Sequence, residues 1–159
     1  MVPPEFSYWL ANPPRVDGQA LLFEIGGMNY RVEQSSSGWA LTKEERGLTS
    51  MLGSLRNYED VEKYLLRLMG GVPQRAERTS SPDYRWYREG VDPRVRLEPT
   101  DPTAEYSYMS LFVDDEPLDR GSLKPSDATK FSHPLVMSYE QVDQIYREGL
   151  PDEWFTIDR

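Results

Sequence analysis

The fold is decided by residues 20–42, which read ALLFEIGGMNYRVEQSSSGWALT. Apolar and polar residues alternate on both sides of Gly26-Gly27, and two adjacent glycines supply the positive φ angles of a tight hairpin turn. The alternating apolar positions are Leu21, Phe23, Ile25, Tyr30 and Val32. A second polar turn at 35–38 leads into a third short strand, Trp39–Thr42. The stretch therefore predicts a three-stranded antiparallel meander.

A helix is predicted downstream of this meander. Asn57 is a favourable N-cap and Gly70-Gly71 provides a stop. Between them, apolar residues recur at helical spacing, at Val61, Tyr64, Leu65, Leu68 and Met69. This stripe predicts packing on the meander, because a small sheet needs a covering helix. The alternative is an apolar ridge that fills a partner's groove. Glu59 and Lys63, one turn apart, are predicted to pair on the solvent face.

The second half of the chain is irregular at first and then regains clear patterns. Residues 72–104 are rich in Pro, Arg and aromatic residues, and include one possible strand around 95–97. Tyr106–Val113 alternates as a strand does, and an acidic loop, residues 114–119, follows it. A further helix is predicted from Ser138 to about Glu148, because Ser138 and Gln141 form a capping box.

These patterns predict a single α+β domain over residues 1–159, a length sufficient to bury a core. We expect an antiparallel sheet of about five to seven short strands, with two main helices packed against it. The meander and its helix occupy 15–71, the irregular segment occupies 72–104, and an acidic strand-loop-helix region occupies 105–159.

Acidic residues are concentrated in the last third of the chain. Residues 101–159 have thirteen Asp and Glu against five Lys and Arg, in a chain of formal net charge −9. Such a field attracts basic partners and repels nucleic acid and anionic membranes. No apolar run approaches the roughly 18–20 residues of a membrane span, and the first residues lack a signal-peptide pattern. With no Cys in the chain, a cytoplasmic location is expected.

No catalytic or metal-binding signature accompanies this charge. His133 is the chain's one histidine, which excludes mechanisms that need two His or a His–Cys pair. We interpret it as a residue in a turn before Pro134 that binds backbone; the alternative is an enzyme that uses His133 with carboxylates. Residues 114–119 lack the alternating ligands of a calcium loop and contain Pro117. We therefore expect no enzyme activity, no cofactor and no bound metal.

The acidic third is interpreted instead as a partner-binding face. Aromatic residues within a charged rim are typical of interface hot spots. The candidate partner-binding residues are Tyr108, Asp114, Asp115, Glu116, Leu118, Asp119, Trp154 and Phe155. The alternative is a solvated surface that only keeps the protein in solution.

Several stretches of the first half also resemble a known family. They are Tyr8-Trp9, Leu22–Val32, Gly38–Thr42, Glu45-Arg46-Gly47, Val61–Leu66, Gly70-Gly71 and Arg75. Over roughly residues 6–78, the chain resembles immunity proteins of bacterial polymorphic-toxin systems. More narrowly, it resembles the family that includes the immunity factor for the tuberculosis necrotizing toxin.

The resemblance implies an α+β antidote that is not an enzyme. Such a protein binds one-to-one to the catalytic domain of a secreted toxin, in the cytosol of the producing cell, and blocks its active site. For the named toxin the blocked activity is NAD(P) glycohydrolysis. An alternative function is a non-catalytic acidic binding module, such as a secretion chaperone or an adaptor.

Overall fold

The computed structural model of the protein describes residues 14–70 and 82–148. These residues form eight strands and four helices. The strands are β1 Arg15–Asp17, β2 Ala20–Ile25, β3 Met28–Ser35, β4 Gly38–Glu45, β5 Leu48–Leu55, β6 Val95–Pro99, β7 Met109–Val113 and β8 Gly121–Leu123. The helices are α1 Tyr58–Gly70, α2 Pro82–Glu89, α3 Pro125–Leu135 and α4 Tyr139–Glu148.

The predicted meander is present as strands β2, β3 and β4. Phe23 lies opposite Tyr30 across the first hairpin. Gly26 and Gly27, at its turn, have φ angles of 60° and 79°. Positive φ at both turn residues matches the natural twist of the strands, which is why two glycines are favoured there. Strands β1 and β5 extend the meander on either side by further antiparallel pairing.

The sheet is completed by strands that are distant in sequence. Its order is β1-β2-β3-β4-β5-β8-β7-β6, so the chain leaves after β5, forms two helices, and returns through β6 and β7 before β8 pairs with β5. All pairings are antiparallel. This return brings the loop between β7 and β8 next to the start of α1.

Two apolar clusters hold the helices in place. Helices α1 and α3 contribute Val61, Tyr64 and Phe131 to the main core, which also contains Phe23 and Leu111 of the sheet. A second cluster joins α1, α2 and α4 through Leu66, Trp86, Val142, Ile145 and Tyr146. The predicted apolar stripe of α1 therefore packs as expected, with all but Leu68 of its five residues buried.

On the opposite face of the sheet, the described residues form no comparable cover. A row of paired positions crosses it from β1 to β5, and all five side chains are exposed or half-buried. They are Arg15, Leu22, Arg31, Thr42 and Met51. An antiparallel sheet commonly packs one face and solvates the other.

The predicted number of elements is wrong, although the α+β class holds. Where five to seven strands and two main helices were expected, the described residues contain eight strands and four helices. Helix α2 lacks a readable apolar stripe, because Trp86 is the one large apolar side chain that it buries. Helix α3 contains Pro134 within its last turn. Strand β8 has only three residues, so pairing with β5 and β7 defines it.

Candidate partner-binding site

The acidic loop, residues 114–119, turns away from the sheet as soon as β7 ends. The N–H of Asp114 donates to the carbonyl of Arg94 at 2.9 Å, and the N–H of Glu116 donates to that of Val113 at 3.2 Å. Asp115 has a φ of 65°, in the left-handed region that Asp tolerates better than most residues. The side chains of Asp114 and Asp115 are exposed and have no ion-pair partner within the described parts of the chain.

Glu116 faces inward and binds Arg120. Two guanidinium nitrogens of Arg120 donate to the two oxygens of Glu116, each at 2.6 Å. The third nitrogen donates to Asp60 of α1, at 2.9 and 3.2 Å. The hydrogen bonds from Arg120 hold the pKa of Glu116 below its usual range, and the same bonds raise the pKa of Arg120. The loop is therefore tied to the first turn of α1.

Asp119 fixes the other end of the acidic loop. Arg56, between β5 and α1, donates two hydrogen bonds to its carboxylate at 3.1 and 3.2 Å. The N–H of Gly121 donates to the same carboxylate at 2.9 Å. The pairing raises the pKa of Arg56. Of the four acids predicted to bind a partner, Glu116 and Asp119 thus bind within the protein, which leaves Asp114 and Asp115 directed at solvent.

A buried ion pair lies beneath the loop. Lys63 and Asp60 are 3 % and 1 % exposed, and their charged atoms are 3.1 Å apart. The Lys63 ammonium also donates to the carbonyls of Leu135 and Met137, at 2.9 and 3.0 Å. The predicted solvent-face pair of Lys63 with Glu59 is therefore wrong. Asp60, Lys63, Glu116 and Arg120 form what we call the four-charge cluster, whose formal charges sum to zero.

A cavity of about 590 Å³ opens beside the acidic loop. Its walls come from the start of α1, the end of β7, and the connection between α3 and α4. Glu59, Asp114 and Asp115 line it together with the half-buried apolar residues Val113, Val136 and Met137. Because these segments are far apart in sequence, no local pattern predicts the cavity.

The other predicted contact residues are dispersed. Tyr108, just before β7, is half-buried, and its hydroxyl donates to the Met51 carbonyl at 2.8 Å. Leu118 is 65 % exposed in the acidic loop. Trp154 and Phe155 lie outside the described residues. The structure therefore brings Asp114 and Asp115 together at the cavity, with Leu118 exposed in the same loop, and shows Tyr108 bonded to β5.

His133 has a structural environment within α3. Its ring stacks on buried Trp86, with centroids 5.8 Å apart and an angle of 7°. Its Nε2 bonds the Gly90 carbonyl at 2.7 Å, and its Nδ1 lies 3.6 Å from Asp92. The predicted backbone acceptor is thus present, but the predicted turn is wrong, because His133 lies inside a helix. Although burial raises the pKa of Asp92, hydrogen bonds from Arg94 lower it overall.

The described ranges, 14–70 and 82–148, offer no group of three His, Asp or Glu side chains suited to a metal ion. Several of the Asp and Glu side chains instead form ion pairs with Arg or Lys within the protein. What the arrangement presents chemically is a fixed acidic loop beside a cavity.

A comparison with protein families identifies the class. A family model described as Immunity protein 61 matches residues 5–149. The chain belongs to this family. A solved structure, Rv3902c from M. tuberculosis, matches with a TM-score of 0.69 and 12 % identity, over 92 % of this chain and 88 % of that chain. At this identity the match shows the fold alone. A search of curated proteins found no match.

Membership in the Immunity protein 61 family confirms the predicted resemblance to immunity proteins. It gives the chain the role of an immunity protein, whose partner is a toxin protein. Of the helices in the described residues, none is both long enough and apolar enough to cross a membrane.

Three features of this candidate site cannot be predicted from the sequence patterns. They are the cavity, the buried position of Lys63 and the role of Arg120 as a bridge between Glu116 and Asp60. Arg120 and Asp60 are sixty residues apart in the chain. The one usable signal is local: Glu116 and Arg120 stand four residues apart.

Proposed function

We propose that this protein protects the cell that makes it by binding the catalytic domain of a secreted toxin, one-to-one, and covering its active site. It blocks the toxin's active site by binding alone and catalyses no reaction itself. The observation that carries the proposal is the Immunity protein 61 match across residues 5–149. We place the encounter in the cytosol, because an antidote has to meet the toxin where the toxin's substrate is.

The proposed contact surface is the acidic loop with its neighbours. Internal ion pairs hold Glu116 and Asp119, so Asp114, Asp115 and Leu118 are presented on a rigid loop. A preformed loop loses little conformational entropy on binding, which favours affinity. Exposed carboxylates speed the encounter with a basic cleft, and an exposed apolar side chain can be desolvated in the complex. Tyr108, Trp154 and Phe155 remain proposed contact residues on the evidence of the sequence alone.

For the toxin we propose an NAD(P) glycohydrolase, as the family resemblance of residues 6–78 implies. A basic cleft that binds dinucleotide phosphates would complement the loop's carboxylates. The test is co-expression, in a bacterial host, of this protein with the C-terminal domain of the toxin encoded beside its gene. We expect growth to recover, cellular NAD+ to return to its normal level, and a one-to-one complex to co-purify.

Each outcome bears on a different part of the proposal. If growth does not recover and no complex forms, the toxin-blocking function is wrong. If growth recovers but the unprotected toxin leaves NAD+ and NADP+ unchanged, the immunity function stands and the assigned toxin class is wrong.

Electrostatic steering is tested by charge reversal. Asp114→Lys and Asp115→Lys are each expected to slow association, and wild-type association is expected to slow as salt rises, because rim charges act mainly on the association rate. Glu24→Lys is the matched control, since Glu24 is an exposed acid on β2, toward the far edge of the sheet. Equal effects of all three substitutions, or an association rate independent of salt, would rule out steering by this loop.

A further inference from the structure

We propose that the cavity beside the acidic loop is a socket for one Lys or Arg side chain of the toxin. This inference rests on the proposed function, since it names the group that the toxin inserts. The cavity has an open mouth at the acidic loop and a volume of about 590 Å³, which accommodates a single long side chain together with water. Its lining has the two components that such a side chain requires.

The first component is an apolar wall. Val113 at the end of β7 and Val136 and Met137 at the α3–α4 connection line the cavity, and all three are half-buried. Lys and Arg carry methylene stems that pack along apolar surface while the charged group reaches a polar one. An acidic metabolite would gain little from this wall and would meet the carboxylates at the mouth.

The second component is uncompensated negative charge. The cavity is lined by three basic residues, and each already has an acidic partner within the protein. Lys63 pairs with Asp60, Arg94 with Asp92, and Arg120 with Glu116 and Asp60. Internal ion pairs therefore offset the positive charges of the lining, so the lining has no excess of positive charge to attract an anion.

The three acids that line the cavity differ from the basic residues in their pairing. Glu59, Asp114 and Asp115 are exposed, and none has an ion-pair partner in residues 14–70 or 82–148. The socket as a whole thus has an excess of negative charge at its mouth. A guanidinium or ammonium group at that position would pair with carboxylates that the fold leaves free.

The geometry favours a side chain over a metal ion. Within the described residues no three acidic or histidine side chains converge closely enough to hold a metal. The carboxylates stand on separate elements, α1 and the acidic loop, and so surround a volume rather than a point. Arg fits such a site best, because its guanidinium is weakly hydrated and offers several donors.

The test removes charge without changing shape. The socket variant carries Glu59→Gln, Asp114→Asn and Asp115→Asn; Asn is chosen at 115 because it tolerates the positive φ of that position. The control variant carries Glu24→Gln, Glu33→Gln and Glu44→Gln, three exposed acids on β2, β3 and β4. Both variants change the net charge equally, and thermal unfolding checks that both fold.

The measurement is the affinity for the toxin domain co-expressed above, with association and dissociation rates recorded separately. We expect the socket variant to raise Kd at least about tenfold, with faster dissociation in addition to the slower association that the loss of steering charge produces, and the control variant to change it less than about threefold. A Lys and Arg to Ala scan of the toxin should identify one residue whose loss weakens wild-type binding but not binding of the socket variant.

The possible outcomes distinguish a failure of the socket proposal from a failure of the proposed immunity function. If wild type and socket variant dissociate equally fast from the toxin, or if no toxin Lys or Arg couples to the socket, the socket is wrong and the immunity function stands. If the wild-type protein forms no complex with the toxin domain, both fail.

Discussion

The four-charge cluster supports a prediction about stability that can be worked through from the structure. Asp60 is 1 % exposed and accepts hydrogen bonds or ion pairs from Lys63, Arg120 and Asn57. Among the described residues, Asp60→Ala leaves Lys63, itself 3 % exposed, with two backbone carbonyls as its acceptors. The cluster then carries one uncompensated positive charge beneath the surface.

The expected cost is large for a protein of this size. Removing one partner of a buried ion pair typically costs about 3–5 kcal/mol. Loss of a carboxylate from the first turn of α1 adds roughly 0.3–1 kcal/mol, because the helix dipole is positive there. Against a typical unfolding free energy of about 5–15 kcal/mol, this is a substantial fraction.

The assay is urea unfolding followed by circular dichroism and Trp fluorescence. Asp114→Ala is the control, because Asp114 is exposed and has no ion-pair partner among the described residues, so its loss should change the unfolding free energy by less than about 0.5 kcal/mol. If Asp60→Ala does not fold, Asp60→Asn keeps the shape and a partial set of hydrogen bonds, and its midpoint should still fall below that of wild type.

A double-mutant cycle tests the reasoning itself. When Lys63→Met is combined with Asp60→Ala, no lysine charge is stranded, so the double variant should lose less stability than the sum of the single variants. The reasoning is refuted if Asp60→Ala costs less than about 1 kcal/mol, or if the two costs add.

Three further predictions concern other parts of the molecule. The pKa values of Glu116 and Asp92 are lowered in the folded state, so these two acids stabilise the fold above their unfolded pKa, and this stabilisation is lost as pH falls through the folded pKa. The melting temperature should therefore fall between about pH 7 and pH 3, and Glu116→Gln should make this fall shallower. Gly70→Ala should lower the free energy of unfolding in urea by about 1–3 kcal/mol, because an added Cβ would collide with the Tyr146 ring of α4. In an unobstructed helix the same substitution stabilises the protein by up to about 1 kcal/mol, so a gain in stability would contradict the close approach of α1 and α4 at this position. His133→Phe should keep the stacking on Trp86 but lower the free energy of unfolding by roughly 1–3 kcal/mol, because the hydrogen bonds of the imidazole are lost. Protection from the toxin in the co-expression assay should be unchanged, and its loss in a folded His133→Phe protein would indicate a direct role of His133 in function.

The parts of the fold that follow from sequence are those with local causes. The two-glycine turn at 26–27 predicts the first hairpin, and the capping box predicts α4, where Ser138 and Gln141 exchange hydrogen bonds at 2.9 and 3.1 Å. The spacing of apolar residues predicts α1. In each case the interacting groups lie within a few residues, so the pattern and the structure are linked directly.

Elements that are stabilised by residues far away in the chain cannot be predicted from sequence patterns. Strand β8 has three residues and is stabilised by pairing with β5, whose Gly53 lies opposite Leu123. Helix α2 buries Trp86 against His133 of α3 and Tyr146 of α4. Neither element has a strong local pattern, because the contacts that stabilise it come from other parts of the chain.

The candidate site also has features that the sequence predicts and features that depend on contacts between distant residues. The sequence by itself determined that the last third is acidic, that a loop rich in carboxylates follows a strand, and that the first half resembles immunity proteins. Only the tertiary structure decided which carboxylates are free. Glu116 and Asp119 are held by Arg120 and Arg56, whereas Asp114 and Asp115 face solvent beside a cavity. The physical reason is that Arg56 and Asp60 stand about sixty residues before their partners, and a charge pattern read along the chain cannot show which opposite charges the fold brings together.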